Sequence, residues 1–210
     1  LTPATGRYNL TLNSSDPTVK VVPLGPEWTG RAWTIAGTGN ACTIEPGTRG
    51  EGVEIAILDS GIDYNHPDLL SQENHPERDK VVRRINFVGY DFAHSPSPYA
   101  LDPEIKGHGT EVAGKAAGSG SINPDMTGVA PGACLWAVKT VWNLANAGFE
   151  EWGMAGFDYA VRGPDGTPGT GDEPDVIAHT TGSPAISDGF SAMGAMLDIA
   201  SEQGIVVVQS

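Results

Sequence analysis

Val53-Glu54-Ile55-Ala56-Ile57-Leu58-Asp59-Ser60-Gly61 is a short apolar run closed by a turn, the pattern of a buried strand that ends on a carboxylate. In open α/β sheets the carboxyl ends of the strands are where ligands and reactive groups collect, so Asp59 stands at a position where chemistry is expected. Working outward, Leu135-Trp136-Ala137-Val138, Val176-Ile177-Ala178 and Ile205-Val206-Val207-Val208 are three further short, mostly apolar strand candidates. Helical stretches lie between them. Phe149 to Arg162 places Trp152, Gly156, Tyr159 and Ala160 on one side, and Phe190 to Glu202 does the same with Met193, Ala195, Met196, Ile199 and Ala200. Strands alternating with helices predict a mainly parallel sheet with helices on both faces, an α/β domain over residues 51–210. Residues 1–50 mix Pro, Gly, Thr and Trp without a sustained period and read as a loop-rich lead-in, anchored by Trp28 and Trp33. Ser71 to Pro103 reads as one long polar connection.

The charge balance narrows the function. Twelve Lys and Arg against 26 Asp and Glu give a net charge of −14 in 210 residues. No basic patch interrupts the acidic surface, so phosphate backbones and anionic membranes are repelled, and neither nucleic acid nor membrane is an expected partner. No apolar run approaches the ~20 residues that span a bilayer. With only Cys42 and Cys134, the chain is not a disulfide scaffold; Cys134 precedes an apolar run and reads as a small buried thiol, with pairing to Cys42 as the alternative. The turn-rich stretch 163–174 carries Asp165, Asp172 and Glu173, whose oxygens suit Ca²⁺, although the spacing is not that of an EF-hand and a solvated loop is the simpler reading.

Two segments carry the chemistry. One reads Ala56-Ile57-Leu58-Asp59-Ser60-Gly61-Ile62-Asp63-Tyr64-Asn65-His66-Pro67-Asp68-Leu69; the other reads Gly107-His108-Gly109-Thr110-Glu111-Val112-Ala113-Gly114. A general base near neutral pH is most often histidine, and it needs an orienting partner. His108 opens a small-residue helix whose N-terminus disfavours a positive imidazole, so a compensating anion is required, and Asp59 is the candidate. Either residue alone reads better as a turn or helix cap; the two long segments together reverse that. Asp63 and His66 read as turn-shaping residues.

Together these segments closely resemble the aspartate and histidine signatures of the subtilisin-like serine proteases, the subtilases, in that family's order. Gly128-Val129-Ala130-Pro131-Gly132-Ala133 with Leu135 to Lys139, and Asp175 through Gly182 followed by Gly204 to Val208, resemble further family segments. The resemblance covers about Gly50 to Ser210. It implies a three-layer subtilisin-like fold, incomplete at its C-terminal end, in a secreted or cell-surface endopeptidase acting on polypeptides. It implies catalytic roles for Asp59 and His108, and no cofactor in the chemistry, although structural calcium is compatible with it. Substrate would add as an extended strand to cleft edges made by Thr180, Thr181 and Gly182 on one side and Asn146, Ala147 and Gly148 on the other. His179 and the two threonines depart from the commoner family residues. The family's oxyanion asparagine and nucleophilic serine fall after the strand at Ile205 to Val208, so the remainder of the catalytic domain is expected in cis or as a second chain. Without them, residues 1–210 are expected to be nearly inert. Ser191 reads as an ordinary helix residue and not as that nucleophile. Two other readings stay open here: a non-catalytic relative that keeps the cleft as a peptide-binding module, and a hydrolase whose metal is held by Asp59, His66, Asp68 and His108.

Overall fold

The strand at Asp59 lies at the centre of a five-stranded parallel sheet. The computed structural model describes the backbone of residues 2–4, 7–9, 33–38, 41–46, 72 and 75–78, and in full residues 49–71, 79–89, 96–102, 107–142, 150–180 and 192–209. Two compact units divide the chain at Thr48 and Arg49.

In the first unit, strands β1 (Thr2–Ala4) and β2 (Arg7–Asn9) pair antiparallel, as do β3 (Trp33–Thr38) and β4 (Ala41–Pro46). Trp28 and the side chains of Trp33 and Cys42 lie outside the described residues, and with Cys42 so does its pairing.

The second unit holds β5 (Glu54–Asp59), β6 (Ser71–Gln72), β7 (His75–Asp79), β8 (Val81–Asn86), helix α1 (His108–Ala117), β9 (Cys134–Lys139), α2 (Glu150–Arg162), β10 (Val176–His179), α3 (Ala192–Glu202) and β11 (Val206–Gln209). The sheet runs β11-β10-β5-β9-β8, every pair parallel. Residues on β5 and β9 are apolar without alternation because both faces are covered. Ile55 and Ile57 of β5, with Leu135 and Ala137 of β9, join Ala113 and Ala117 of α1 in one buried cluster. Ala56 and Leu58, with Trp136 and Val138, face the other way and join Trp152, Phe157, Ala160 and Val161 of α2 and Ala200 of α3. The result is three layers, helix on sheet on helix, as the subtilisin-like pattern implies.

Each strand and helix expected from periodicity is present within a residue or two. On α2 the buried residues are Trp152, Gly153, Gly156, Phe157, Ala160 and Val161, with Tyr159 packed beside them. On α3 only Ala200 is buried; Met193, Met196 and Leu197 pack partly against the cluster, and Ile199 is largely exposed. The stretch read as one long polar connection from Ser71 to Pro103 instead contains the antiparallel pair β6–β7 and the sheet strand β8. Only Val81 at the head of β8 is buried, and Val82, Arg83 and Arg84 are exposed. An edge strand covered on so little of its surface lacks the apolar run that marks β5 and β9.

Helix α1 is set by small residues. Gly109, Ala113 and Ala117 recur every four residues and form its buried stripe. Its last carbonyls are taken up by the returning chain, with Gly118 O, Lys115 O and Ala116 O accepting from the N–H groups of Gly128, Val129 and Ala130 at 2.8, 3.0 and 2.8 Å.

Candidate active site

Asp59 ends β5, and β9 and β10 flank it on either side. Its carbonyl accepts from Thr140 N at 2.8 Å and Val141 N at 3.2 Å, which ties the strand end to the chain leaving β9. The turn that follows is held open at Gly61, where φ is +106° and an added Cβ would lie 2.4 Å from the Ala100 carbonyl oxygen. Only glycine takes that backbone without strain.

The Asp59 carboxylate is sealed from water, with 2% of its side chain exposed, and His108 at the start of α1 is 41% exposed. His108 Nδ1 lies 2.8 Å from Asp59 Oδ2 and 3.0 Å from Oδ1. A carboxylate can only accept, so Nδ1 carries the proton and Nε2 is left as the basic nitrogen. The carboxylate is held from two other directions: Ser60 N donates to Oδ1 at 2.5 Å, and the Thr180 hydroxyl donates to Oδ2. Thr180 Oγ1 also lies 3.2 Å from the Leu58 carbonyl oxygen.

The N-terminus of α1 has no side-chain cap of its own, since Gly107 stands at the capping position in the left-handed region. Its free N–H groups are met from elsewhere. Gly109 N donates to Ser60 Oγ at 3.0 Å, and Thr110 N and Oγ1 donate to Asp102 Oδ2 at 2.9 and 2.7 Å. Ser60 Oγ donates in turn to Asp102 Oδ1 at 3.0 Å. Beneath the turn the buried Lys139 ammonium donates to the carbonyls of Ser60 (2.5 Å) and Leu101 (3.1 Å). Burial pushes Lys139 below the usual ammonium range, and the negative charges of Asp102 and Asp59 oppose that shift. His179, at the end of β10, stacks edge-on against Phe157 with ring centroids 6.2 Å apart; burial lowers its pKa and the charge of Asp59 opposes the change.

The structure therefore brings Asp59, His108 and Thr180 to one sheet edge. Thr181, Gly182, Asn146, Ala147, Gly148 and Ser191 lie outside the described residues. Of the four side chains of the metal-hydrolase reading, those of Asp59 and His108 meet each other and neither His66 nor Asp68 joins them. His66 Nδ1 instead accepts from Asp68 N at 3.2 Å, and Asp68 Oδ1 accepts from Ile122 N at 3.1 Å. The acidic loop turns its carboxylates onto its own backbone: Asp172 Oδ2 accepts from Asp165 N at 3.0 Å, and Glu173 accepts from the N–H groups of Gly169, Thr170 and Gly171. Burial would raise the Glu173 pKa, but those donors outweigh it and the net shift is downward. Among the described residues no three His, Cys, Asp or Glu converge as a metal-binding group.

Sequence reasoning missed Asp102 and Lys139. Asp102 sits in a polar segment with no spacing rule to mark it. Lys139 did carry a signal, because a charge closing a buried apolar strand requires a partner.

Comparison with known proteins agrees with the fold. Residues 50–210 match the model of the subtilase family, Peptidase_S8. The chain is 34% identical over 166 residues to the minor extracellular protease Vpr of Bacillus subtilis (strain 168), covering 78% of this chain and 18% of that protein. It is 32% identical over 139 residues to the major intracellular serine protease of the same organism, covering 66% and 37%. Against Subtilisin E, also from that strain, identity is 34% over 162 residues, covering 77% and 34%. The solved structure of Sphericase superposes with a TM-score of 0.59 at 28% identity, over 76% of this chain and 46% of that one. The chain thus spans less than half the length of each of these relatives. The match over residues 50–210 runs through both signature segments and the sheet that joins them, and the chain belongs to the subtilase family.

Proposed function

We propose that this chain supplies the carboxylate and the general base of a serine endopeptidase that cleaves polypeptides. The observation that carries the reading is the 2.8 Å contact between His108 Nδ1 and the buried Asp59 carboxylate. With Nδ1–H committed to Asp59, the Nε2 lone pair is available to take the proton from a serine hydroxyl as that oxygen attacks a peptide carbonyl. The imidazolium so formed lies at a helix N-terminus, which disfavours it, and the adjacent carboxylate offsets that cost. His108 then returns the proton to the leaving amine.

The nucleophile and an oxyanion donor come, in this proposal, from sequence matching the part of the relatives that this chain does not span, in the same polypeptide or in a second one. Thr180, Thr181 and Gly182, with Asn146, Ala147 and Gly148 opposite, are proposed as the backbone edges that take an extended substrate. Within that edge the Thr180 side chain turns inward to Asp59, so its share of substrate binding is through main-chain atoms. Export is part of the same proposal, supported by the likeness to an extracellular protease; the likeness to an intracellular one marks the outcome to test by fractionating cells and medium.

Peptide hydrolysis by the full-length gene product is the test. His108→Ala and Asp59→Asn should each lower kcat by about 10³-fold or more, as for triad residues elsewhere. Hydrolysis that persists at the wild-type rate in His108→Ala refutes the reading.

A further inference from the structure

The contacts around Asp59 and His108 leave a second buried carboxylate to explain. Asp102 is almost fully buried and uses both oxygens. Oδ1 accepts from Ser60 Oγ at 3.0 Å, and Oδ2 accepts from Thr110 N at 2.9 Å and Thr110 Oγ1 at 2.7 Å. Ser60 is the residue after Asp59, and its N–H donates to the Asp59 carboxylate at 2.5 Å. Its hydroxyl accepts from Gly109 N, the residue after His108, at 3.0 Å. A buried ion needs a counter-charge and full hydrogen bonding. Lys139 supplies the charge, anchored on the carbonyls of Ser60 and Leu101, the residues that follow Asp59 and precede Asp102.

We propose that Asp102 is a positioning residue of the catalytic site: its carboxylate ties the turn after Asp59 to the first turn of α1, and so sets the separation and angle at which carboxylate and imidazole meet. The role rests on the reading of Asp59 and His108 as the catalytic pair. It follows from connectivity. β5 and α1 are separate elements, and α1 lacks a side-chain cap of its own. Ser60, Asp102, Gly109 and Thr110 close a ring of hydrogen bonds between them. A carboxylate serves here where an amide would not, because each of its oxygens receives only donors, from Ser60 on one side and from Thr110 on the other. An NH₂ group in place of Oδ2 sets a donor against the Thr110 N–H; in place of Oδ1 it makes Ser60 Oγ accept where it had donated and leaves the hydroxyl proton without that acceptor, and either way the charge is lost. Small displacements of a general base cost rate out of proportion to their size.

The test is made in the full-length gene product, with steady-state peptide hydrolysis and the NMR resonance of the His108 Nδ1 proton, which reports the bridge to Asp59 directly. Asp102→Asn should lower kcat about 10–100-fold with KM changed by less than about twofold, and should move or broaden the bridging proton signal. Thr110→Ser, which keeps the hydroxyl, should behave as wild type, and Thr110→Val should shift both readouts as Asp102→Asn does. If Asp102→Asn does not fold, Ser60→Ala removes the same link from the other end and is read by the same two measurements. Wild-type kcat and an unmoved proton signal in the folded variant overturn the proposal. His108→Ala in the same assay separates the two levels: hydrolysis surviving that change refutes the catalytic pair itself, while hydrolysis lost there but intact in Asp102→Asn refutes only the positioning role.

Discussion

Gly109 carries its hydrogen where a Cβ would lie 2.1 Å from the Gly61 carbonyl oxygen, so the first turn of α1 is seated directly on the turn after Asp59. The same added carbon would lie 3.1 Å from Asp59 Oδ1. Helix and strand end approach this closely only because the residue after His108 has no side chain.

Gly109→Ala must therefore push α1 away from β5 and lengthen the Asp59–His108 contact. A shift on the order of 1 Å is enough to cost about 10²-fold in kcat/KM. Peptide hydrolysis by the full-length variant checks this, and activity within about twofold of wild type would show that the site accommodates the methyl group.

Thr180 holds the side of the Asp59 carboxylate away from Ser60. Thr180→Val keeps the shape and removes the hydroxyl, leaving one lone pair of a buried carboxylate without its donor. A hydrogen bond to a charged group contributes about 1.5–3 kcal/mol, so the urea midpoint should fall accordingly. Thr180→Ser should restore it. Equal midpoints for the Val and Ser variants would mean that the hydroxyl contributes nothing.

Lys80 is entirely buried, with its ammonium donating to Pro131 O at 2.6 Å and Ala133 O at 3.0 Å. Lys80→Met preserves the bulk of the side chain but strips both carbonyls of that donor. Each buried acceptor left unmatched costs about 1–3 kcal/mol, so denaturant unfolding should show a clear loss of stability with kcat unchanged. A neutral or stabilising substitution would argue that burying the ammonium costs as much as its hydrogen bonds return.

His179 supplies a pH dependence. Burial depresses its folded-state pKa below the ordinary value of 6.5, with the Asp59 charge opposing. Between the folded and unfolded values only the unfolded chain binds the proton, so stability is complete above about 6.5 and declines as pH falls through that window. The imidazole faces the charge of Asp59, and the Phe157 ring of α2 packs against it. His179→Gln should flatten the fall in Tm between pH 7.5 and 5, approximate settings chosen to bracket that window. An unchanged slope assigns the pH dependence to other groups.

The parallel sheet was legible in the sequence because β5 and β9 are buried on both faces, and a run as short as Ile55 to Leu58, closed by a turn, suits such a strand. The residues at Asp59 and His108 were legible because long motifs surround them. Strand β8 was hidden: Arg83 and Arg84 break its apolar pattern, and their guanidinium groups instead lie 5.8 Å from the Trp136 ring and 4.0 Å from the Tyr64 ring.

Sequence alone determined which segments form the buried strands β5 and β9 and which residues, Asp59 and His108, stand where chemistry is expected, since both follow from local residue order. Tertiary structure alone decided how those groups are held. Ser60 meets Asp102 across 42 residues, Asp59 meets His108 across 49, and Thr180 reaches Asp59 across 121. No periodicity encodes contacts at such separations; they exist because the parallel sheet and the close seat of α1 bring buried polar atoms together where water cannot serve them, and each must then find its partner within the protein.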